Sequence, residues 1–256
     1  MLRKAVLIAC CAVAGLAVAA DKIPSYITAA VADAGRPAED KDRDAQRKPA
    51  QTAQFAGIKP GSIVVELIPG KGYFTRIFSK IVGPKGKVYA VSPPRRPTAP
   101  ADSPDPSAAT TAIASNAAYK NVIVQVAPLA SLSVSEPADV VFTAQNYHDV
   151  QNVPNIDIAA FNKSVFDSLK PGGVFIVLDH AAAAGSGGRD TSTLHRIDPE
   201  LVKTQVQAAG FEWVGESKVL ANPQDDHSAK VFDPAIRGQT DQFIYKFRKP
   251  GQKRRD

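Results

Sequence analysis

The chain has 256 residues, and its 31 Lys and Arg against 25 Asp and Glu give a formal net charge of +6. This length is sufficient for one ordinary hydrophobic core. The excess of positive charge lies mainly near the C-terminus and forms no stripe interleaved with aromatic residues, so nucleic acid is not expected as a partner.

The first 20 residues have the pattern of a secretory signal peptide. Arg3 and Lys4 precede an apolar run over residues 5–16, and small residues follow it. Because the run is shorter than the roughly 20 residues that span a bilayer, a retained membrane anchor is the less favoured alternative. We predict cleavage near Ala19 or Ala20, and a periplasmic or secreted mature protein without a stable membrane anchor.

Both cysteines, Cys10 and Cys11, lie within this segment. The mature chain is therefore predicted to have no thiol, which excludes a disulfide framework and a cysteine-ligated metal. Removal of Arg3 and Lys4 lowers the net charge from +6 to +4. Residues 249–256 are predicted to form a solvated basic tail.

Residues 21–48 are predicted to form an N-terminal helical extension, and residues 49–248 a single α/β domain. Short β-branched runs indicate buried parallel strands, separated by segments with helical periodicity. The predicted helices are 23–34, 40–47 (an exposed helical turn or helix), 49–56, 73–82, 158–169 and 199–209. The predicted strands are 63–67, 87–91, 121–126, 139–143, 174–178, 211–220 and 242–247.

Strand, helix and strand in succession form βαβ units, and the last two strands indicate a closing antiparallel hairpin. Residues 92–115 are predicted to be a loop with a weak helix at its end, and residues 170–173 a turn. The pattern predicts a Rossmann-like, doubly wound, mostly parallel seven-stranded sheet with a terminal antiparallel hairpin. Such sheets bind ligands at the carboxyl ends of their strands, near the point where the strand order reverses.

The loop after the first predicted strand has the sequence Glu-Leu-Ile-Pro-Gly-Lys-Gly, residues 66–72. Glycines at this place let the backbone approach a ligand and let the next helix begin close to the strand. The N-terminus of that helix favours a negatively charged ligand group. The strand, the acid, the glycines and the helix together indicate a ligand-binding loop.

This loop resembles the acid-x-Gly-x-Gly-x-Gly motif of class I S-adenosylmethionine-dependent methyltransferases. Glu66 matches the acid, Gly70 and Gly72 match the second and third glycines, and Ile68 stands where the first glycine is expected. The resemblance covers roughly residues 49–248 and includes segments 57–61, 83–91, 169–173 and 208–211. Segments 145–149 and 232–238 are similar, more narrowly, to exported bacterial proteins predicted to be methyltransferases.

The resemblance implies S-adenosylmethionine as the cofactor, held by Glu66, Gly70 and Gly72. It places Ser92 where the family has an acid that binds the ribose hydroxyls. A serine offers one hydrogen bond there but lacks the paired, charged acceptor of a carboxylate. After the third strand, Ala-Pro-Leu at residues 127–129 replaces the acid that lies near the adenine amine in many members.

Residues 145–149, Gln-Asn-Tyr-His-Asp, follow the fourth predicted strand. In the resembling fold this loop borders the methyl donor and the acceptor. Asn146 is assigned to the cofactor, while Tyr147, His148 and Asp149 are the candidate catalytic residues, because such side chains position a substrate or take a proton. The alternative is a capped loop in which Asp149 or Asn146 satisfies backbone groups.

Asp179 and His180 end the fifth predicted strand and are expected to lie near His148 and Asp149. Two histidines and two carboxylates can hold a divalent metal, but a structural hydrogen-bond network is the favoured interpretation, so no metal is predicted. His180 is assigned to the substrate site instead.

His195 and Arg196 open the next predicted helix region and are also assigned to the substrate. Arg196 is suited to clamp an anionic group. A salt bridge to Asp198 or Glu200 at the start of the helix is the alternative.

Two hypotheses for function follow. The first is S-adenosylmethionine-dependent methyl transfer to a small-molecule substrate, which Gly70, Gly72 and the polar 145–149 segment favour. The second is a non-catalytic or repurposed periplasmic Rossmann-like ligand-binding protein, which Ile68 and Ser92 favour.

Overall fold

The computed structural model describes residues 22–96 and 99–251. The predicted signal peptide and most of the predicted basic tail lie outside these ranges. None of the helices in the described ranges is both long enough and apolar enough to cross a membrane.

The described residues contain a seven-stranded sheet with the strand order β3-β2-β1-β4-β5-β7-β6. Neighbouring strands from β3 to β5 pair in parallel, whereas β7 is antiparallel to both β5 and β6. The strands are β1 (Ile63–Leu67), β2 (Lys87–Ser92), β3 (Val122–Val126), β4 (Ala138–Ala144), β5 (Leu169–His180), β6 (Glu212–Ser217) and β7 (Gln242–Arg248). The predicted doubly wound sheet with a terminal antiparallel hairpin is confirmed.

Helices cover both faces of the sheet. The helices are α1 (Ser25–Val31), α2 (Ala38–Lys41), α3 (Asp44–Arg47), α4 (Pro49–Ala56), α5 (Tyr73–Val82), α6 (Ala108–Ala114), α7 (Tyr147–Val150), α8 (Ile158–Ser168) and α9 (Pro199–Ala208). One apolar core joins the sheet to α1, α4, α5 and α6, and the other joins it to α7, α8 and α9. Adjacent strand residues point to opposite faces, so Val64 enters the first core and Val65 the second.

Four local predictions differ from the structure. The predicted strand 211–220 is shortened to β6, Glu212–Ser217. The first helix is shorter than residues 23–34 because Pro24, whose backbone is extended, stands immediately before it. Segment 40–47 contains two short helices, and it is less exposed than expected, since Asp40 is buried. The prediction of a turn at residues 170–173 was wrong, because these residues belong to β5.

The Pro-Gly-Gly sequence produces an irregularity within β5 rather than a reversal of the chain. Gly172 has φ +81°, and the pairing of β5 with β4 shifts register between Ala138 and Val140. The N–H of Gly172 donates to the Lys249 carbonyl at 2.9 Å, and the N–H of Lys249 donates to the Gly173 carbonyl at 2.9 Å. The antiparallel ladder therefore continues through glycines that elsewhere would end a strand.

The strand order reverses between β1 and β4, and three strands end together at this point. Leu67 is in register with Thr143, and Thr143 with Val177. Beyond these residues, the N–H of Gln145 donates to the carbonyl of Leu178 at 2.7 Å. The loops that follow β1, β4 and β5 therefore meet at one edge of the sheet.

Candidate functional site

The loop after β1 keeps a left-handed backbone at all three positions of its motif. Ile68, Gly70 and Gly72 have φ values of +51°, +57° and +76°. Such a value is unusual for a β-branched residue and carries a cost of about 1–3 kcal/mol. The backbone of Ile68 is held from both sides, since its N–H donates to the Val91 carbonyl at 2.8 Å and its carbonyl accepts from Asn146 Nδ2 at 3.1 Å. Ile68 thus stands at the place of the motif's first glycine and adopts a left-handed conformation that glycine adopts readily.

The two glycines of this loop serve different purposes. A Cβ atom on Gly70 would have no heavy atom within 4 Å, whereas one on Gly72 would overlap the δ-methyl of Ile113. Gly72 therefore allows the start of α5 to pack against α6. Gly70 instead borders an open cleft.

This first cleft, bordered by Glu66, Gly70, Arg47 and Asn146, has a volume of about 200 Å³. Its walls are the loop after β1, the loop after β4 and the N-terminal segment that contains α3. The side-chain amide of Asn146 donates to the carbonyls of Ile68 and of Ala144, at 3.1 and 2.7 Å. Asn146 therefore shapes the cleft by joining its two loops.

Glu66 is a buried acid in the wall of the first cleft, and Thr75 Oγ1 donates to its carboxyl group at 2.5 Å. Burial raises the pKa of Glu66 to about 8, although Thr75, Arg47 and Arg76 favour its ionised form. The acid is therefore mostly protonated at neutral pH and is poised to ionise when a cation arrives beside it.

The N-terminal segment that covers the first cleft is fixed to α5. Arg36 makes a bidentate pair with Asp44 at 2.8 and 2.7 Å, and the hydroxyl of Tyr73 donates to Asp44 at 2.6 Å. Arg76 pairs with Asp40 at 3.0 Å. These contacts hold α2 and α3 over the opening of the first cleft.

Two arginines of this N-terminal segment, Arg43 and Arg47, line the first cleft, although the sequence did not indicate them as site residues. The guanidinium of Arg47 lies over the rings of Tyr73 and Phe74, at 4.4 and 4.8 Å. Burial and the nearby Arg43 lower the pKa of Arg47 to about 10, so it remains a cation at neutral pH. The high charge density of segment 40–47 was the only signal in the sequence, and it is equally typical of a solvated surface.

A second cleft of about 430 Å³ adjoins the first and shares Arg43, Arg47, Lys71 and Gln145 with it. Its remaining wall comes from β5, β7 and the long loop between β6 and β7, and its lining includes His180, Val231, Phe232, Arg237 and Gln242. Four of the lining side chains are cations: Arg43, Arg47, Lys71 and Arg237. Within the described part of the chain, the ion pairs involve other residues and leave these four without a carboxylate partner. A concave surface of this charge attracts anions.

His148 and Asp179 form a buried pair at the edge of this region. His148 Nδ1 lies 2.8 Å from Asp179 Oδ1, and the backbone N–H of His148 donates to Asp179 Oδ2 at 2.8 Å. Asp149 Oδ1 lies 3.3 Å from His148 Nε2 and 3.5 Å from His195 Nδ1. The structure therefore brings together His148, Asp149, Asp179 and His195. Asp179 was expected here in a hydrogen-bond network, with metal binding as the less favoured alternative.

The electrostatics of His148 do not suit a general base. Burial on its own lowers the pKa of this imidazole, but Asp179 and Asp149 outweigh burial and raise the pKa to about 10. A histidine in this state already carries its proton at neutral pH. The expectation that His148 takes a proton from the substrate disagrees with this arrangement.

His180, which was expected at the substrate site, lies in the wall of the second cleft. Its Nδ1 is 2.8 Å from the hydroxyl of Thr240, and burial lowers its pKa to about 4. His180 is therefore a neutral hydrogen-bonding group at physiological pH. The ring of His195 packs against that of Phe232, which also lines this cleft, with 4.8 Å between centroids.

Tyr147 and Ser92 do not reach either cleft. Tyr147 is completely buried, and its hydroxyl donates to Gln205 at 3.1 Å and accepts from Asn162 at 2.9 Å. Because α7 turns this side chain into the core beneath α8 and α9, a catalytic role for Tyr147 disagrees with the structure. The hydroxyl of Ser92 is also buried and donates to the carbonyl of Pro106 at 3.2 Å, which leaves it no free proton for a ribose.

Arg196 is fully buried and holds protein groups rather than an open site. Its guanidinium pairs with both oxygens of Asp225, at 2.8 and 3.1 Å, and donates to the carbonyls of Ala181 and Ala229. Neither the expected substrate clamp nor the alternative pair with Asp198 or Glu200 is present. Asp198 instead accepts from the N–H of Glu200 at the start of α9.

Comparisons with known proteins identify the fold. No family model matches the chain, and no curated protein is similar to it in sequence. Among solved structures, a methyltransferase from Aquifex aeolicus that depends on S-adenosylmethionine is 18% identical, with a TM-score of 0.56 over 84% of this chain and 98% of that one. The arsenic(III) S-adenosylmethionine methyltransferase CrArsM of Chlamydomonas reinhardtii is 18% identical, with a TM-score of 0.53 over 89% and 74% of the two chains.

A third similar structure is the glycopeptide N-methyltransferase MtfA in complex with S-adenosyl-L-methionine. It is 14% identical, with a TM-score of 0.53, and the match covers 79% of this chain and 87% of that chain. At these identities the likenesses show the fold alone. The chain therefore has the fold of S-adenosylmethionine-dependent methyltransferases.

Proposed function

We propose that the protein transfers a methyl group from S-adenosylmethionine to a small molecule. The observation that carries this proposal is the loop after β1, where Ile68, Gly70 and Gly72 keep a left-handed backbone beside the buried acid Glu66. The sequence departs from the methyltransferase motif at Ile68, yet the loop retains the shape that leaves room for a ligand.

The residues of the first cleft fit the methionine end of this cofactor. Glu66 would hold its ammonium group, and the open space at Gly70 would let the backbone approach it. Asn146 would act indirectly, by holding the two loops of the cleft together, since its Nδ2 donates to a carbonyl in each of them. At the ribose the fit is weaker, because Ser92 uses its hydroxyl on Pro106.

An apolar cavity beyond β2 and β3 suits the adenine ring. Its volume is about 460 Å³, and it lies between the loops that follow these two strands and the segment after α7. Its lining includes Pro93, Pro94, Pro128, Leu129, Val153 and Ile156. Aliphatic and proline side chains of this kind sandwich a flat base and bury its faces.

The second cleft is proposed as the acceptor site because it opens into the first. Its unpaired cations favour an anionic acceptor, such as a carboxylate or phosphate compound. Neutral His180 and Gln242 supply hydrogen bonds that would orient the acceptor. The charge of this cleft is the reason for preferring an anion to a neutral compound.

Bound S-adenosylmethionine supplies an electrophilic methyl group, and transfer is an in-line displacement. The protein must align the acceptor with the methyl group and exclude water from the site. Arg43 and Arg47 border both clefts and would hold an acceptor anion at their junction. We assign no described residue as a base, because Asp179 and Asp149 raise the pKa of His148 to about 10.

A second candidate function is a ligand-binding protein that has lost methyl transfer. Two features favour it, since both weaken binding of a nucleoside. The hydroxyl of Ser92 already donates to the carbonyl of Pro106, and residues 127–129 contain no acid.

We also propose export of the mature protein, on the basis of residues 1–20. The mass of the N-terminus from the native cell envelope tests this, and a chain that retains Met1 would contradict it.

Calorimetric titration with S-adenosylmethionine and S-adenosylhomocysteine tests the cofactor. We expect one saturable site, which Gly70→Val abolishes while the circular dichroism spectrum is retained. Gly61→Val is the matched control, because Gly61 also has a positive φ and open space at its Cβ but precedes β1. Absence of binding by the unaltered protein would favour the second candidate, and equal affinity in both variants would place the cofactor elsewhere.

A further inference from the structure

His148 has a buried ring nitrogen that makes no hydrogen bond to any residue within 22–96 or 99–251. Its Nδ1 and its backbone N–H are both bound by the carboxylate of Asp179, so the ring orientation is fixed. Its Nε2 then points toward Asp149, at a distance of 3.3 Å that does not have hydrogen-bond geometry. A buried nitrogen that is held in one direction without a hydrogen bond calls for an explanation, and a bound ion is one that the neighbouring groups support.

Asp149 and His195 complete a group of three donor atoms around this nitrogen. Asp149 Oδ1 lies 3.3 Å from His148 Nε2 and 3.5 Å from His195 Nδ1, and the three atoms all lie within 4.8 Å of one another. Ligands bound to zinc at about 2.1 Å in a tetrahedron are separated by about 3.4 Å. Two of the three separations already match this value, and rotation of the half-exposed Asp149 and the partly exposed His195 can adjust the third.

We propose that His148 Nε2, Asp149 Oδ1 and His195 Nδ1 form a binding site for a divalent transition metal ion such as zinc. The bound ion would displace the proton from His148 Nε2 and release it to solvent. Two imidazoles and one carboxylate favour such an ion over magnesium or calcium, which prefer oxygen ligands. The site differs from the four residues that the sequence suggested, because Asp179 orients a ligand instead of being one. His180 is engaged with Thr240.

Asp179 supplies the second feature of a built metal site. A histidine that binds a metal commonly donates its other ring N–H to a carboxylate, which fixes the tautomer and strengthens the ligand. The contact of 2.8 Å between Asp179 and His148 Nδ1 has this form. The side chain of Asp149 is 50% exposed, so solvent or a substrate can reach the remaining coordination positions.

The site lies next to the second cleft. The ring of His195 packs on Phe232, and His180, whose ring centroid is 6.3 Å from that of His148, also lines that cleft. An ion bound here would add positive charge beside an already cationic surface. It would also connect α7 to the segment before α9, so that its binding stabilises the fold.

Titration with metal alone tests the proposal, independently of any cofactor or acceptor. The protein carries Cys10→Ser and Cys11→Ser, because thiolates bind zinc themselves, and it is first freed of metal with a chelator. We expect calorimetry with zinc chloride to show one ion per chain and the melting temperature to rise with zinc concentration. Cobalt(II) should give the visible absorption of a tetrahedral site.

Matched variants separate this site from other histidines. His195→Ala removes a partly exposed ligand and should weaken zinc binding at least tenfold, and Asp179→Asn should weaken it by about 10- to 100-fold. His227→Ala is the control, since His227 also faces a single carboxylate, Asp241, at 3.1 Å but has no second histidine. No saturable binding below about 0.1 mM zinc, or equal binding by His195→Ala and the parent, would overturn the proposal.

Discussion

Gly72 and Ile113 are packed so closely that a methyl group on the glycine would occupy the position of the isoleucine δ-methyl. The contact joins the loop after β1 to α6, and Gly72 has φ +76°. Gly72→Ala is therefore expected to cost about 2–4 kcal/mol, from overpacking together with an unfavourable backbone conformation. Urea denaturation measures this loss.

The double variant Gly72→Ala with Ile113→Ala distinguishes the two causes. If overpacking dominates, the second change restores part of the stability lost in the first, and the two changes are not additive. Strict additivity would contradict the contact between these residues.

Glu66→Gln should change how stability depends on pH. Burial raises the pKa of Glu66 to about 8 in the folded protein, against 4.5 for the free side chain, so folding takes up a proton between these values. The contribution of Glu66 is complete below about pH 4.5 and is lost as the pH rises through about 8. The variant keeps an acceptor for Thr75 and cannot ionise, so its melting temperature relative to the parent should rise from pH 5 to pH 9. A constant difference across this range would show that Glu66 does not titrate there.

The same acid predicts proton release when a cationic cofactor binds. S-adenosylmethionine carries positive charge, and a cation beside Glu66 favours its ionised form. At pH 7, binding should release about one proton, which calorimetry measures by repeating the titration in buffers of different ionisation enthalpy. Glu66→Gln should bind more weakly and release none. Release unchanged by the substitution would assign the proton to another group.

Tyr147→Phe tests whether this tyrosine is structural. The hydroxyl makes two buried hydrogen bonds, with Gln205 and Asn162, so its loss should lower the free energy of unfolding by about 1–2 kcal/mol. Ligand affinity and turnover should remain at the level of the parent protein. A large fall in turnover with unchanged stability would restore the catalytic assignment.

Arg237→Glu tests the charge of the second cleft. Thermal-shift screening of small molecules matched in size should select anions over neutral and cationic compounds, because the cleft contains four cations that have no carboxylate partner among the residues that the structure describes. The charge reversal should reduce these shifts, and added salt should do the same. Lys85→Glu, an equal change at an exposed lysine before β2, should leave them intact. Anions that respond equally to both variants would indicate non-specific attraction.

The fold could be predicted from the sequence because each local signal agreed with the others. The bounds of α4 and α5 match the predicted ones, since Gly57 and Gly83 follow their last turns in conformations that end a helix. The continuation of β5 through residues 170–173 could not be predicted, because a bulge within a strand and a reversal of the chain use the same residue types.

The site could be predicted only where it follows the ends of strands. Glu66 and His148 follow from their positions after β1 and β4, as the rule for doubly wound sheets requires. Arg43 could not be found, because nothing in its neighbourhood specifies that α3 packs across the first cleft. Arg196 was misassigned for a similar reason, since its partner Asp225 lies in a distant loop without regular structure.

Ile68 shows that the cleft depends on a backbone torsion angle more than on a glycine. The hydrogen bonds to Val91 and from Asn146 impose φ +51° on a residue that disfavours it. A lineage can therefore exchange the first glycine of the motif for a bulky residue without losing the loop, provided that the neighbouring strand and amide remain. Substitution at position 68 is thus constrained by the carbonyl of Val91 and the amide of Asn146, and a motif that requires glycine at this position does not match this chain.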